Sequence, residues 1–152
     1  ELLFVGTRRG YRDLWLAHLL DAGLPLFHRF TDKSAENSVG QKGYIELLKR
    51  GCTTISSGLV VSQEHTINFR IFEAIAAKTA LLQLDFAELR NYFVPCVHYA
   101  PFSNVNQLIS TARFLGRHPQ IRESLACEAL AWYRERYAAT LFWRTMTARL
   151  AD

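Results

Sequence analysis

The chain opens on Leu2-Leu3-Phe4-Val5, four apolar residues in a row closed by Gly6-Thr7. A strand with one wet face alternates apolar and polar residues. A continuous apolar run is instead buried on both faces, as in a parallel sheet with helices on either side. Parallel strands need long crossovers, so the segment after Gly6 is expected to return across the sheet before the next strand.

The rest of the chain keeps to that plan. Asp13 to Ala22 places Leu14, Leu16, Ala17, Leu19 and Leu20 at helical spacings, and Gly23 followed by Pro25 is a stop signal. Leu24 to Phe30 reads as a second strand, and the polar stretch from Thr31 to Gly43 as a surface loop. A short helix, Tyr44 to Arg50, leads through Gly51 into the β-branched strand Thr53 to Ser56. After a loop over 58–67, Asn68 to Lys78 reads as a helix with Phe69, Phe72, Ile75 and Ala76 on one face, running into the strand Ala80 to Leu84. Ala87 to Phe93 is expected as a short helix and Val97 to Ala100 as a fifth strand. From Ser103 the period is helical throughout, over Val105 to Leu115, Pro119 to Tyr137 and Thr140 to Leu150. Strand and helix alternate first and helices alone follow, which specifies an α/β fold: a doubly wound parallel sheet with a helical C-terminal extension.

Composition excludes several classes. At 152 residues, 49% hydrophobic and 21% charged, the chain is sized for one ordinary globular domain. Charged residues or His interrupt every apolar run before the ~20 residues a membrane span needs. Cys52, Cys96 and Cys127 form neither a CxxC pair nor an even set, so packing in a reducing cytoplasm is expected of them. The net charge of +4 fits an anionic ligand without selecting nucleic acid. The sequence starts on Glu1 with no Met or leader, from which a fragment cut at a domain boundary is expected.

The series FVGTRRGYR, YIELLKRGCTTISS, RIFEAIAAKTALLQLD, YFVPCVHYAPFSNVNQL and QIRESLACEALAWYRERY resembles the C-terminal domain of glycosyltransferases of the group-1, spore-maturation-protein-like kind. The similarity covers nearly the whole chain with the blocks in family order. It implies one half of a GT-B enzyme, in which two Rossmann-like domains face each other across a cleft and the C-terminal one holds a nucleotide diphosphate sugar. The expected domain is therefore 1–152, a nucleotide-sugar-binding unit. Its partners would be the donor and a missing N-terminal acceptor domain, with no nucleic acid, no transmembrane segment and no cofactor beyond the donor.

The same resemblance implies the site. Glu73 matches the second of two family glutamates and would accept hydrogen bonds from the ribose hydroxyls. The first falls on His65, with Glu64 one position early. The free N–H groups of a helix starting near Thr66 to Asn68 suit a diphosphate, and Arg70 in its first turn can add a charge-assisted hydrogen bond. The turn Gly6-Thr7-Arg8-Arg9-Gly10 would bring backbone and one guanidinium to the phosphates. Plainer readings stand beside these: a dipole-favoured carboxylate at Glu73, an ion pair of Arg70 with Glu73 or Glu64, and a solvated turn capped by Asp13 at Arg8 and Arg9. Lys78 stands where the family usually has glycine, and a surface position is expected of it.

No residue is assigned a catalytic role, and any general base would come from the missing domain. The five histidines lack metal-site spacing, the turn lacks a full GxGxxG, and Ser56-Ser57-Gly58 is no nucleophile elbow. Tyr99, Phe102, Trp132, Tyr133 and Trp143 read as packing residues rather than base-stacking platforms. A degenerate, non-catalytic binding module for a protein or anionic partner is the alternative to an enzyme half; a receiver-like domain is disfavoured because no acidic cluster follows the first strand.

Overall fold

The structure, a computed structural model, describes residues 1–6, 10–30, 39, 41–50, 53–58, 64–137 and 140. Five strands, β1 (Leu2–Gly6), β2 (Leu26–Phe30), β3 (Thr53–Ser56), β4 (Ala80–Leu84) and β5 (Ala100–Phe102), form one sheet. All of its pairings are parallel, in the order β2-β1-β3-β4-β5. The helices are α1 (Gly10–Asp21), α2 (Gln41–Arg50), α3 (Phe69–Ala76), α4 (Val105–Arg117) and α5 (Pro119–Tyr137), with a single 3-10 turn at Ala87–Asn91.

Alternation along each strand divides the core. On one face Leu2 and Phe4 of β1, with Leu82 and Leu84 of β4, pack against Leu16 and Leu19 of α1 and Leu108 of α4. On the other, Leu3 and Val5 meet Leu48 of α2. Leu81 meets Ile71 and Ile75 of α3 and Ala129 of α5 there. Helices cover both sides, which is why the strands read as unbroken apolar runs. The doubly wound sheet with its trailing helices is the fold the sequence implied.

Boundaries differ where local chemistry wins. Helix α1 begins at Gly10 rather than Asp13, and α2 at Gln41 rather than Tyr44. Strand β2 starts at Leu26, two residues after the expected Leu24. The fifth strand is Ala100–Phe102, not Val97 to Ala100, because Cys96 has a φ of 62° and its N–H donates to the Tyr99 carbonyl at 2.8 Å, closing a turn over 96–99. Helix α3 stops at Ala76: Lys78 takes a φ of 56°, its N–H donates to the Ile75 carbonyl and that of Thr79 to the Ala74 carbonyl. This is the αL, glycine-favouring Schellman ending. Lys78 is exposed, as expected, with Nζ 2.5 Å from Oε1 of Glu123. The apolar face of α3 is Ile71, Ala74 and Ile75, whereas Phe69 is 85% exposed. Tyr99 and Phe102 are core residues, and Trp132 and Tyr133 pack against the α3 side of the core. Trp143 and the expected helix Thr140 to Leu150 lie, apart from residue 140, outside the described residues.

Candidate functional site

The sheet order sets the place. From β1 the chain goes one way to β2 and the other way through β3 to β5, so helices on opposite faces leave a crevice beyond the carboxyl ends of β1 and β3. Register pairs Leu2 with Thr53 and Leu3 with Thr54, and pairing between the two strands stops there, short of Gly6 and Ser56.

Arg70 reaches this opening from α3. A β-carbon on Gly6 would fall 2.8 Å from Nη1 and 3.3 Å from Cζ of Arg70, so the guanidinium rests on the space glycine leaves. Its Cζ is 5.9 Å from the Phe4 ring centroid, and the Cζ of buried Arg12 is 5.8 Å from the same ring. Two cations thus lie within about 6 Å of one aromatic ring of β1. Arg70 is also the second residue of α3, where the helix dipole opposes a positive charge.

The start of α3 has no side-chain cap from its N-cap residue. Asn68 is the N-cap residue, with extended φ and ψ, but its side chain makes no capping bond and its Oδ1 is buried without a partner among the described residues. Helix α4 shows the contrast. There Asn104 Oδ1 accepts from the Gln107 N–H at 3.0 Å, while Gln107 Oε1 accepts from the Ser103 N–H at 2.9 Å.

Glu73 lies a turn further into α3 than the first turn expected of it, and is exposed. Tyr44 of α2 lies near both it and Arg70. Burial raises the pKa of the Tyr44 hydroxyl, the nearby Arg70 cation pulls the other way, and the Glu73 carboxylate adds to the rise. That hydroxyl is buried with no hydrogen-bond partner among the described residues, as are Arg70 Nε, Ser56 Oγ and Gln83 Oε1. Buried polar atoms are ordinarily satisfied, and each left unpaired costs about 1–3 kcal/mol. Water or a polar ligand reaching these atoms would satisfy them.

The structure brings Gly6 and Arg70 into contact, places Asn68 at the start of the same helix, and sets Tyr44 near Arg70 and Glu73. His65 is held by Phe86, their rings stacked at 5.0 Å between centroids. Thr7, Arg8 and Arg9 lie outside the described residues. Tyr44 and Gly58 escaped the sequence reading. Gly58 has a φ of 65°, its carbonyl accepts from the Thr66 N–H at 2.8 Å, and a β-carbon there would meet the Thr66 carbonyl oxygen at 2.7 Å. Asp85, at the end of β4, is already engaged: Arg90 binds its carboxylate, holding the pKa down, and Tyr99 donates to it at 2.8 Å. Among the described residues no three His, Cys, Asp or Glu side chains gather as metal ligands would.

A glycosyl transferase-like family model matches residues 8–151. The chain belongs to the glycosyl transferase-like family. None of the curated proteins matches it significantly. Solved structures share the fold of this glycosyl transferase-like chain. The C-terminal domain of a glycosyl transferase group 1 family protein, LpcC from Francisella tularensis, superposes with a TM-score of 0.67 at 10% identity, over 91% of this chain and 86% of that one. Anabaena HepE in complex with UDP-glucose gives 0.71 at 11% identity, over 98% of this chain and 48% of that one. An α1,3-fucosyltransferase with GDP-fucose gives 0.65 at 16% identity, over 84% and 38%. The glycosyl transferase-like chain therefore spans less than half the length of the latter two. No described helix is long and apolar enough to cross a membrane.

Proposed function

We propose that this chain is the donor-binding domain of a GT-B glycosyltransferase, which transfers a sugar from a nucleotide diphosphate sugar to an acceptor held by a second domain of a longer protein. The observation that carries the reading is Arg70: a half-buried guanidinium set against Gly6 at a helix start whose N-cap side chain makes no capping bond, where an anion relieves the opposed dipole. HepE and the fucosyltransferase, which share this fold, are described with UDP-glucose and GDP-fucose respectively.

In this reading the N–H groups at the start of α3 and Arg70 hold the diphosphate, and Glu73 takes the ribose hydroxyls. Asn68 and Gly6 border the phosphates and His65 flanks the site; Thr7, Arg8 and Arg9, which lie outside the described residues, are assigned to the phosphates as well. Transfer breaks the bond between the sugar's anomeric carbon and the terminal phosphate oxygen. Negative charge then grows on the departing diphosphate, and a preset cation and helix dipole stabilise it more than they stabilise the intact donor. The general base, where the reaction uses one, belongs to the acceptor domain. The protein would act in the cytoplasm with its cysteines reduced.

The test is the dissociation constant of the best-bound of UDP, GDP and ADP for the folded chain and for Glu73→Ala. Loss of the ribose hydrogen bonds weakens binding about tenfold or more. Equal affinities would remove Glu73 from the role.

A further inference from the structure

Phe69 is the first residue of α3 and is 85% exposed, although the helix has a buried apolar side made by Ile71, Ala74 and Ile75. Residues i and i+4 of a helix share a face and lie about 5–6 Å apart, so the neighbour of Phe69 on its exposed side is Glu73, itself exposed. Arg70 follows Phe69 at the helix start, where the Asn68 side chain makes no capping bond. From the middle of α3 to its start come the carboxylate of Glu73, the cation of Arg70 and the exposed ring of Phe69. A nucleotide diphosphate sugar carries its parts in the matching order: ribose, diphosphate, sugar.

We propose that Phe69 is the platform on which the sugar of the donor rests, the ring face lying against the sugar's C–H face. This rests on the donor-site reading above, because the ribose at Glu73 and the diphosphate at the helix start set the direction in which the sugar extends. An aromatic face against C–H groups removes apolar surface of both partners from water. It favours sugars whose contacting face carries no axial hydroxyl, since such a hydroxyl would lose its water without gaining a partner. Phe69 is then a specificity-determining residue that selects on the sugar and is indifferent to the nucleotide.

The experiment is a calorimetric comparison, for wild type, Phe69→Ala and Phe69→Tyr, of two ligands: the nucleoside diphosphate that binds best among UDP, GDP and ADP, and its tightest-binding hexose conjugate. Phe69→Ala should weaken the conjugate about five- to tenfold and leave the nucleoside diphosphate within about twofold. Phe69→Tyr, which keeps the ring, should match wild type for both. Equal weakening of both ligands, or no change in either, as for a residue that contacts another domain instead, overturns the proposal. Nucleoside diphosphate binding that survives in every variant while the conjugate gains nothing from Phe69 overturns the platform but spares the donor site. Absence of any nucleotide binding by folded wild type overturns both.

Discussion

The guanidinium of Arg70 lies against the α-carbon of Gly6, with Nη1 and Nη2 2.8 and 3.1 Å from where a β-carbon would stand. These residues come from different elements, β1 and α3, and meet because parallel crossovers bring both to the carboxyl end of the sheet. A methyl group at position 6 displaces the cation. Gly6→Ala should therefore weaken nucleoside diphosphate binding about tenfold, the loss of part of one charge-assisted contact, while thermal stability stays close to wild type. Isothermal titration checks it.

Gly58 is constrained twice, by a φ of 65° and by the Thr66 carbonyl oxygen 2.7 Å from any β-carbon. The obstacle is backbone, tied back by the Thr66 N–H to Gly58 carbonyl bond, so it cannot swing aside. Gly58→Ala should lower stability by about 2 kcal/mol or more, combining the αL penalty with the clash. Denaturant unfolding measures this.

Lys78 offers the opposite case. It holds a φ of 56° at the end of α3, and its contact with Glu123 is fully exposed. The left-handed conformation costs a non-glycine residue about 1–2 kcal/mol, while glycine gives up about 0.5–1 kcal/mol through unfolded-state entropy. Lys78→Gly should raise stability by about 0.5–1 kcal/mol, seen as an increase in the denaturation midpoint.

His98 makes stability depend on pH. Burial holds its pKa below the usual 6.5; Arg136 pushes the same way and Glu128 opposes. Its Nδ1 accepts from the Val94 N–H at 3.1 Å, which only the neutral ring can do. A depressed histidine pKa favours the folded state fully above the unfolded value, and that contribution is lost as pH falls from about 6.5 toward the folded pKa. Thermal melts from pH 7.5 to 5.5 should show a loss on the order of 1 kcal/mol, the worth of the Val94 hydrogen bond. A His98→Gln variant should show less of it.

Legibility in the sequence followed the range of the forces. Thr53–Ser56, Ala80–Leu84 and Pro119–Tyr137 were readable to the residue, because β-branched or apolar runs and a proline at a helix start act locally. Strand β5 was misplaced because Val97-His98-Tyr99-Ala100 has strand composition, and the positive φ at Cys96 leaves no mark in it. Phe69 shares a helical face with Phe72, Ile75 and Ala76 in the sequence, yet it is exposed, because a helical period of apolar residues does not say which of them the core covers. Glu73, Arg70 and Asn68 are singled out through the resemblance of their block, and their roles belong to the proposal. Tyr44 is not singled out that way, since only the packing of α2 brings it to Arg70 and Glu73.

The central claim, a nucleotide site at the crevice between β1 and β3, is tested most directly by amide chemical shifts of the chain titrated with UDP, GDP and ADP. The account predicts saturable shifts for at least one nucleotide, concentrated at Gly6 and from Asn68 to Glu73, and much reduced in Arg70→Ala. Shifts gathered instead at the hollow around Arg113, Arg117 and Arg122, or no shifts from a folded chain, would contradict it.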